Sequence, residues 1–306
     1  MAHSSPASAT GVSTTTAFTA AVASFLIWGV LNPVFFKLLG GIGAVEIVAH
    51  RVVWTVVLVG AGVLAVKGPT AVVTAVGSWK RLGVFVVTTL LITLNWTTFI
   101  WAIGQNRLVE SSLGYYINPL INVLLGVLFL GERLNRRQVA AVAIAALGVG
   151  SLVLSYGAVP WVALSLALSF GFYALVRKKA AIDPVIGLLV ETLLLAPAAL
   201  GYLLWLGPAG SFGHDAGGSL LLVLAGPMTA VPLVLFMVGT ATLKLSTIGL
   251  LQYIGPTGQL LLGVLVYGEA FTSAHLIAFA CIWVALVVFS ADAFTTHRAA
   301  ARAAAE

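Results

Sequence analysis

Apolar runs of membrane-crossing length follow one another along almost the whole chain, separated by short polar gaps. Ten qualify, over residues 17–38, 44–66, 81–103, 111–130, 137–155, 159–177, 184–206, 219–239, 246–267 and 273–293, numbered here as spans 1 to 10. About 20 apolar residues are needed to cross a bilayer core, and there every backbone N–H and C=O must be paired within the segment. The pattern therefore predicts an all-α polytopic membrane protein with ten transmembrane helices.

Composition agrees. The 306 residues are 60% hydrophobic and 8% charged, with a mean hydropathy of +1.10; a soluble domain carries about 25% charged residues. The net charge of +6 does not point to nucleic acid, because the 15 basic residues are scattered through polar gaps with no aromatic-interleaved stripe. The single cysteine, Cys281, lies in an apolar run, which excludes a disulfide within the chain and a Cys-ligated metal site. Residues 1–16 lack the basic start of a signal peptide and read as a disordered tail; residues 294–306 read as a second tail.

The charges orient the spans. With the tails and the even-numbered loops on one side, that side holds twelve Lys and Arg, including Lys67, Arg81, Arg136, Arg177, Lys244 and Arg298. The other holds two, Lys37 and Arg107, while Arg51 lies within a span. By the positive-inside rule, both termini are expected in the cytoplasm of a bacterial-type cytoplasmic membrane.

The chain also repeats itself. Ile117-Asn118-Pro119, Leu124 to Leu128 and Gly131-Glu132 recur 137 residues later as Ile254-Gly255-Pro256, Leu261 to Leu265 and Gly268-Glu269. Shared Pro and Gly-Glu punctuation is a stronger signal than shared apolar text. Each copy, 17–155 and 156–293, holds five spans, and an odd number makes the second copy enter the membrane from the opposite side. Two inverted five-helix repeats are an architecture of secondary transporters.

These residues resemble the EamA-type drug/metabolite transporter superfamily, through Pro119 with Gly131-Glu132-Arg133-Leu134 and the echo Pro256 with Gly268-Glu269. Within it the chain is similar to the RarD branch, through Glu46 to Trp54, Leu113 to Pro119, Phe172 to Lys179 and Gln252 to Pro256. The resemblance covers about Trp28 to Asp292 and implies a ten-helix permease, often linked to chloramphenicol export. The superfamily carries amino acids, metabolites, nucleotide sugars and lipophilic drugs, so membership fixes mechanism class better than cargo.

Ionisable groups inside a span are costly unless paired or wetted, which makes each a candidate site. Arg51 and Glu191 occupy equivalent positions of spans 2 and 7 and are expected to form or exchange an intramembrane ion pair, with Glu191 or His50 taking up a coupling proton. A static pair holding the halves in register is the alternative. Glu46, His50 and Trp54 share one helical face, Glu46 nearest the outer interface.

Span 4 places Tyr115, Asn118 and Asn122 on one face, and the repeat maps them onto Gln252, Gly255 and Gln259 of span 9. These amides suit either a polar metabolite or interhelical hydrogen bonds. Trp28 and Asn32 in span 1 and Asn95 and Trp96 in span 3 add aromatic and amide surface for an amphipathic cargo. Trp101 reads as an interfacial anchor. Tyr173 and Tyr253 complete the candidate set. Pro119, Gly131, Glu132, Pro256, Gly268 and Glu269 are assigned to turns, the Gly ending one helix and the Glu suiting the start of the next.

No H-E-x-x-H, G-x-S-x-G or Walker A sequence is present, so an intramembrane enzyme and an ATP-driven pump are disfavoured, and no cofactor or metal is expected. The expectation is a secondary permease for a small molecule, coupled to protons and exporting. Uptake of an amino acid or other metabolite is the second reading, and a membrane scaffold or sensor the third.

Overall fold

The computed structural model describes residues 12–131, 134–156, 159–243 and 245–303. Every regular element among them is helical. Among the described residues nine helices are long and apolar enough to cross a membrane, and a shorter apolar stretch, Ser273–Val288, stands where span 10 is expected. The protein is an all-α polytopic membrane protein.

Spans 2, 4, 5, 6 and 7 are the helices Ala44–Val66, Leu108–Leu130, Arg136–Tyr156, Trp161–Ala180 and Pro184–Leu206, and span 3 is Trp79–Gly104. Span 1 starts at Thr14, inside the segment assigned to the tail, where the Ser13 hydroxyl accepts from Thr16 N–H at 3.1 Å. Span 10 runs as helix from Ser273 to Ala303, through most of the second tail.

Three spans are not regular. Span 1 contains a π-helical turn at Ile27–Leu31, just before Asn32-Pro33. Span 8 is two helices, Ala216–Leu224 and Pro227–Thr242, and span 9 is Leu245–Leu251, Ile254–Leu261 and a π-helical turn, Leu262–Val266. Both breaks fall on or just before a Gly-Pro step, Gly226-Pro227 and Gly255-Pro256. Pro119, Pro197 and Pro232, which follow residues with a Cβ, sit inside continuous helix.

The chain forms two compact units, residues 1–89 with 182–258 and residues 90–181 with 259–306. Each unit takes spans from both sequence copies. In the first, span 2 packs along span 7 and span 1 along span 8; in the second, span 5 packs along span 10 and span 4 along span 6. Small residues permit the closest approaches: a Cβ on Gly29 would lie 2.4 Å from the Gly255 carbonyl oxygen, and one on Gly148 2.6 Å from Cys281 Cβ.

Candidate functional site

In the first unit, spans 2 and 7 run antiparallel. Lys67, which closes span 2, pairs with Asp183, which opens span 7, at 2.9 Å, while Glu46 near the start of span 2 binds Ser211 just past the end of span 7. Leu189 meets Gly60 between these ends. In this register Arg51 and Glu191 stand about eight residues apart in level, about 12 Å along the helix axis, on either side of the level of Thr55. They are 4% and 1% exposed, respectively. The sequence thus placed both charges on packed helices, and the fold sets them at staggered depths.

Span 8 positions the arginine. Arg51 Nε donates to Thr229 Oγ1 at 2.6 Å, and the Thr229 hydroxyl in turn donates to Ala225 O at 2.9 Å. The break at Gly226 lets span 8 approach span 2, because a Cβ there would lie 2.6 Å from the Trp54 carbonyl carbon. The guanidinium also lies over the Phe36 ring, 5.6 Å from its centroid. Glu191 lends its backbone carbonyl to the Thr89 hydroxyl at 3.5 Å. The Asn32 Oδ1 and Thr55 Oγ1 atoms are buried and accept or donate no hydrogen bond, the kind of orphan that a ligand or water satisfies.

Glu46, His50 and Trp54 share a face, as expected. Glu46 is buried, its carboxylate accepting from Ser211 N–H at 2.5 Å and Ser211 Oγ at 3.3 Å. The Phe212 ring stacks on His50 at 5.1 Å and lies 6.3 Å from Trp54. Trp28 packs in an aromatic cluster with Phe25 and Phe236, at 5.9 and 5.7 Å, instead of standing open. Gln252 is exposed at the span 9 break, beside half-buried Tyr253.

The second unit uses its amides differently. Asn95 Nδ2 donates to Leu166 O and to Ser169 Oγ, both at 3.1 Å, and its Oδ1 accepts from Tyr115 OH at 3.3 Å. Asn95 and Tyr115 therefore tie spans 3, 4 and 6 together. The Asn118 Oδ1 and Gln259 Oε1 atoms are buried without a hydrogen bond, whereas Asn122 is exposed. The stripe Tyr115, Asn118, Asn122 thus spans several environments, and its copy in span 9 is interrupted between Gln252 and Gln259. Trp96 is half-buried, and the Tyr173 hydroxyl accepts from Arg177.

Glu269 departs from expectation. On the helix that follows it acts through its charge, felt at His275, whose Nδ1 accepts from Thr272 N–H at 3.2 Å at the helix start. The Glu269 carboxylate itself accepts from Leu108 N–H at 2.8 Å and Val109 N–H at 2.7 Å, capping the start of span 4 from 160 residues away. Glu110 then accepts from Val162 N–H at 3.1 Å at the start of span 6, and pairs with Arg107 at 2.6 Å. Arg107 sits over both Trp101 and Trp161, at 5.8 and 5.5 Å, so Trp101 is part of this cluster. Gly131 closes the other end of span 4 in the left-handed conformation, φ 69°. Gly131 and Glu269 are consequently separated by the whole of a 23-residue helix. Gly268 is also left-handed, at φ 64°. Glu132 lies outside the described residues.

Thr229, Phe36, Thr89, Ser169 and Phe212 were not singled out from sequence. The signal for the first four was a polar or aromatic residue in an apolar span; Phe212, in a loop, left none. Among the described residues, no group of three or more His, Cys, Asp or Glu is placed to hold a metal ion.

Comparison with known proteins gives a consistent set. The EamA-like transporter family matches residues 15–154. A Vibrio cholerae protein described as an uncharacterized transporter is 49% identical over 286 residues, 92% of this chain and 94% of that one. Protein RarD of Escherichia coli K12 is 41% identical, covering 91% and 95% of the two chains. A Pseudomonas aeruginosa protein described as chloramphenicol-sensitive protein RarD is 34% identical, covering 88% and 92%. A crystal structure 21% identical in sequence aligns with a TM-score of 0.57 over 90% of this chain and 97% of the other, a likeness of fold alone.

Proposed function

The chain belongs to the RarD branch of the EamA-like transporters, and from that premise we propose that it is a secondary active permease moving a small metabolite or drug across the bacterial cytoplasmic membrane. Export coupled to proton entry is the direction proposed, by alternating access, with both termini in the cytoplasm. The separation of Gly131 from Glu269 by the length of span 4 supports two inverted repeats. The end-to-end contacts agree with the charge count. Lys67 meets Asp183 at the end assigned to the cytoplasm, and Glu46 meets Ser211 at the opposite end.

The observation that carries the reading is the burial of Arg51 and Glu191 on packed, antiparallel spans. Each charge inside a bilayer costs about 3 kcal/mol by insertion scales, so a protein retains such groups where they act on a substrate or ion path. Arg51, braced by Thr229, holds an anionic group or the Glu191 carboxylate, and Glu191 exchanges the proton. Asn32 and Thr55, each with a buried oxygen that has no hydrogen-bond partner, supply polar contacts to the cargo.

The test is flux in proteoliposomes under an imposed pH gradient, screened against a mixed metabolite and drug library by mass spectrometry. Glu191→Gln should reduce gradient-driven flux about tenfold or more while leaving the protein monodisperse. Undiminished gradient-driven flux in folded Glu191→Gln protein would remove the carboxylate from the mechanism.

A further inference from the structure

Residues 207–215 join spans 7 and 8, with a left-handed glycine near each end, Gly207 at φ 49° and Gly213 at φ 91°. Glycine takes this conformation without steric penalty, so two swivel points bracket the segment between them. That segment touches span 2 through two side chains. The Glu46 carboxylate, 6% exposed, grips Ser211 through its N–H at 2.5 Å and its hydroxyl at 3.3 Å. One residue on, Phe212 lies flat on His50, with 25° between the rings, and leans on Trp54.

Phe212 is itself 46% exposed, so its ring is there as a cover and not as part of a packed core. Behind it, Trp54 Nε1 is buried and donates to nothing, a donor left unspent on the face that the ring shields. A cavity of about 450 Å³ adjoins the segment, bounded by Leu39 and Gly40 on one side and Ser211, His214 and Asp215 on the other. The segment therefore has free volume beside it, a positive-φ glycine near each end, one charged attachment and one aromatic plug on span 2, and a tie to span 8 from Gly213 N–H to the Ser219 hydroxyl at 2.8 Å.

We propose that residues 207–215 form a hinged lid over the Glu46, His50 and Trp54 face, latched by Glu46 and plugged by Phe212, which closes the outer end of the transport path. Releasing Ser211 from Glu46 lets the segment swing on Gly207 and Gly213 into the adjoining volume. Phe212 then leaves His50 and Trp54, and the indole N–H becomes available to a passing molecule. The proposal rests on the permease reading, yet its test requires no substrate, so a failed flux assay leaves it standing.

The test is thiol accessibility from each side of the membrane. In a Cys281→Ser background, His50→Cys places a reporter directly beneath the Phe212 ring. Its reaction with a membrane-impermeant maleimide is timed in right-side-out and inside-out vesicles. Phe212→Ala and Glu46→Gln should each raise the rate in right-side-out vesicles about tenfold, and Ser211→Ala, which keeps the backbone N–H, should raise it less. Phe212→Ala changes an exposed loop residue and leaves the helices intact, which size-exclusion chromatography verifies for every variant. Rates unchanged by Phe212→Ala, or raised only in inside-out vesicles, would overturn the lid.

Discussion

Spans 4 and 9 carry two copies of one motif, Ile-x-Pro followed by Leu-Leu-Gly-Val-Leu, yet span 4 is a single helix from Leu108 to Leu130 and span 9 breaks at Gln252-Tyr253. Proline alone does not decide the outcome, because Pro119 and Pro256 both lack the N–H of a helix interior. The residue before it differs. Both Asn118 and Gly255 lie in helix, but Gly255 lacks a Cβ and adds a penalty of about 1 kcal/mol to that of the proline, and the helix around it starts only at Ile254. Gly255 N–H donates to Gln252 O, and Tyr253 N–H to Leu250 O, so the chain tightens into two short turns. Gly226-Pro227 breaks span 8 in the same way. The break in span 9 also brings its backbone onto Gly29 in the π-helical turn of span 1, pairing one irregular segment with another.

This comparison is broken most severely at Gly29. Its Cβ would fall 2.4 and 2.5 Å from Gly255 O and Cα, which are backbone atoms that no rotamer change can move. A Cβ on Gly255 would meet nothing within 4 Å. Gly29→Val should destabilise by about 3 kcal/mol and Gly255→Ala by less than about 1 kcal/mol, the latter offset by better helix propensity. Thermal melts of the purified variants in detergent would check this. Equal losses from the two substitutions would mean that the close approach is not what fixes the break.

Much of this was legible in the sequence and some was not. Apolar run length gave the spans, because backbone pairing in lipid leaves few alternatives. The repeat led to the expectation that Gly131 and Glu269 lie on opposite faces of the membrane, and in the structure they stand at the two ends of span 4. It misled where it was taken as identity: copying span 4 onto span 9 hid the Gly255-Pro256 break, although the dipeptide was there to read. Candidate residues fared unevenly for a physical reason. Periodicity says which residues share a face, as for Glu46, His50 and Trp54, but not what covers that face. Phe212 and Ser211 come from 158 or more residues away, and Glu269 reaches Leu108 across 161 residues of chain.

Glu269 sharpens the comparison from the other side, because the turn after span 9 caps the start of span 4. Two charge-assisted hydrogen bonds hold two of the N–H groups that a helix start leaves unpaired. Glu269→Ala should destabilise by about 2 kcal/mol, and Glu269→Gln by less, since an amide oxygen still accepts from one donor. Hydrogen exchange should locate the loss in the first turn of span 4. Exchange rising instead in residues 273–276, with 108–111 unchanged, would return Glu269 to the helix after it.

Span 7 offers the mildest contrast, a helix capped by its own preceding residue. Asp183 accepts from Val185 N–H and Ile186 N–H, each at 3.0 Å, and from Lys67 Nζ at 2.9 Å. Burial pushes its carboxyl up, but the backbone donors and Lys67 together outweigh this and hold it below the ordinary value of 3.8. A carboxyl depressed in the folded state adds stability that is complete above its unfolded value and disappears as pH falls through the folded one. Melting temperature should therefore drop between about pH 5 and pH 2 by a part that Asp183→Asn lacks. With the two side chains 40% and 39% exposed, solvent and salt screen the Lys67 contact to a few tenths of a kcal/mol. Lys67→Ala should accordingly change little, while Asp183→Ala, which also removes the cap, should lose about 1 kcal/mol at neutral pH. Equal effects of Lys67→Ala and Asp183→Ala would assign the stabilisation to the ion pair, and the contrast between a cap supplied locally and one supplied across 160 residues would lose its local member.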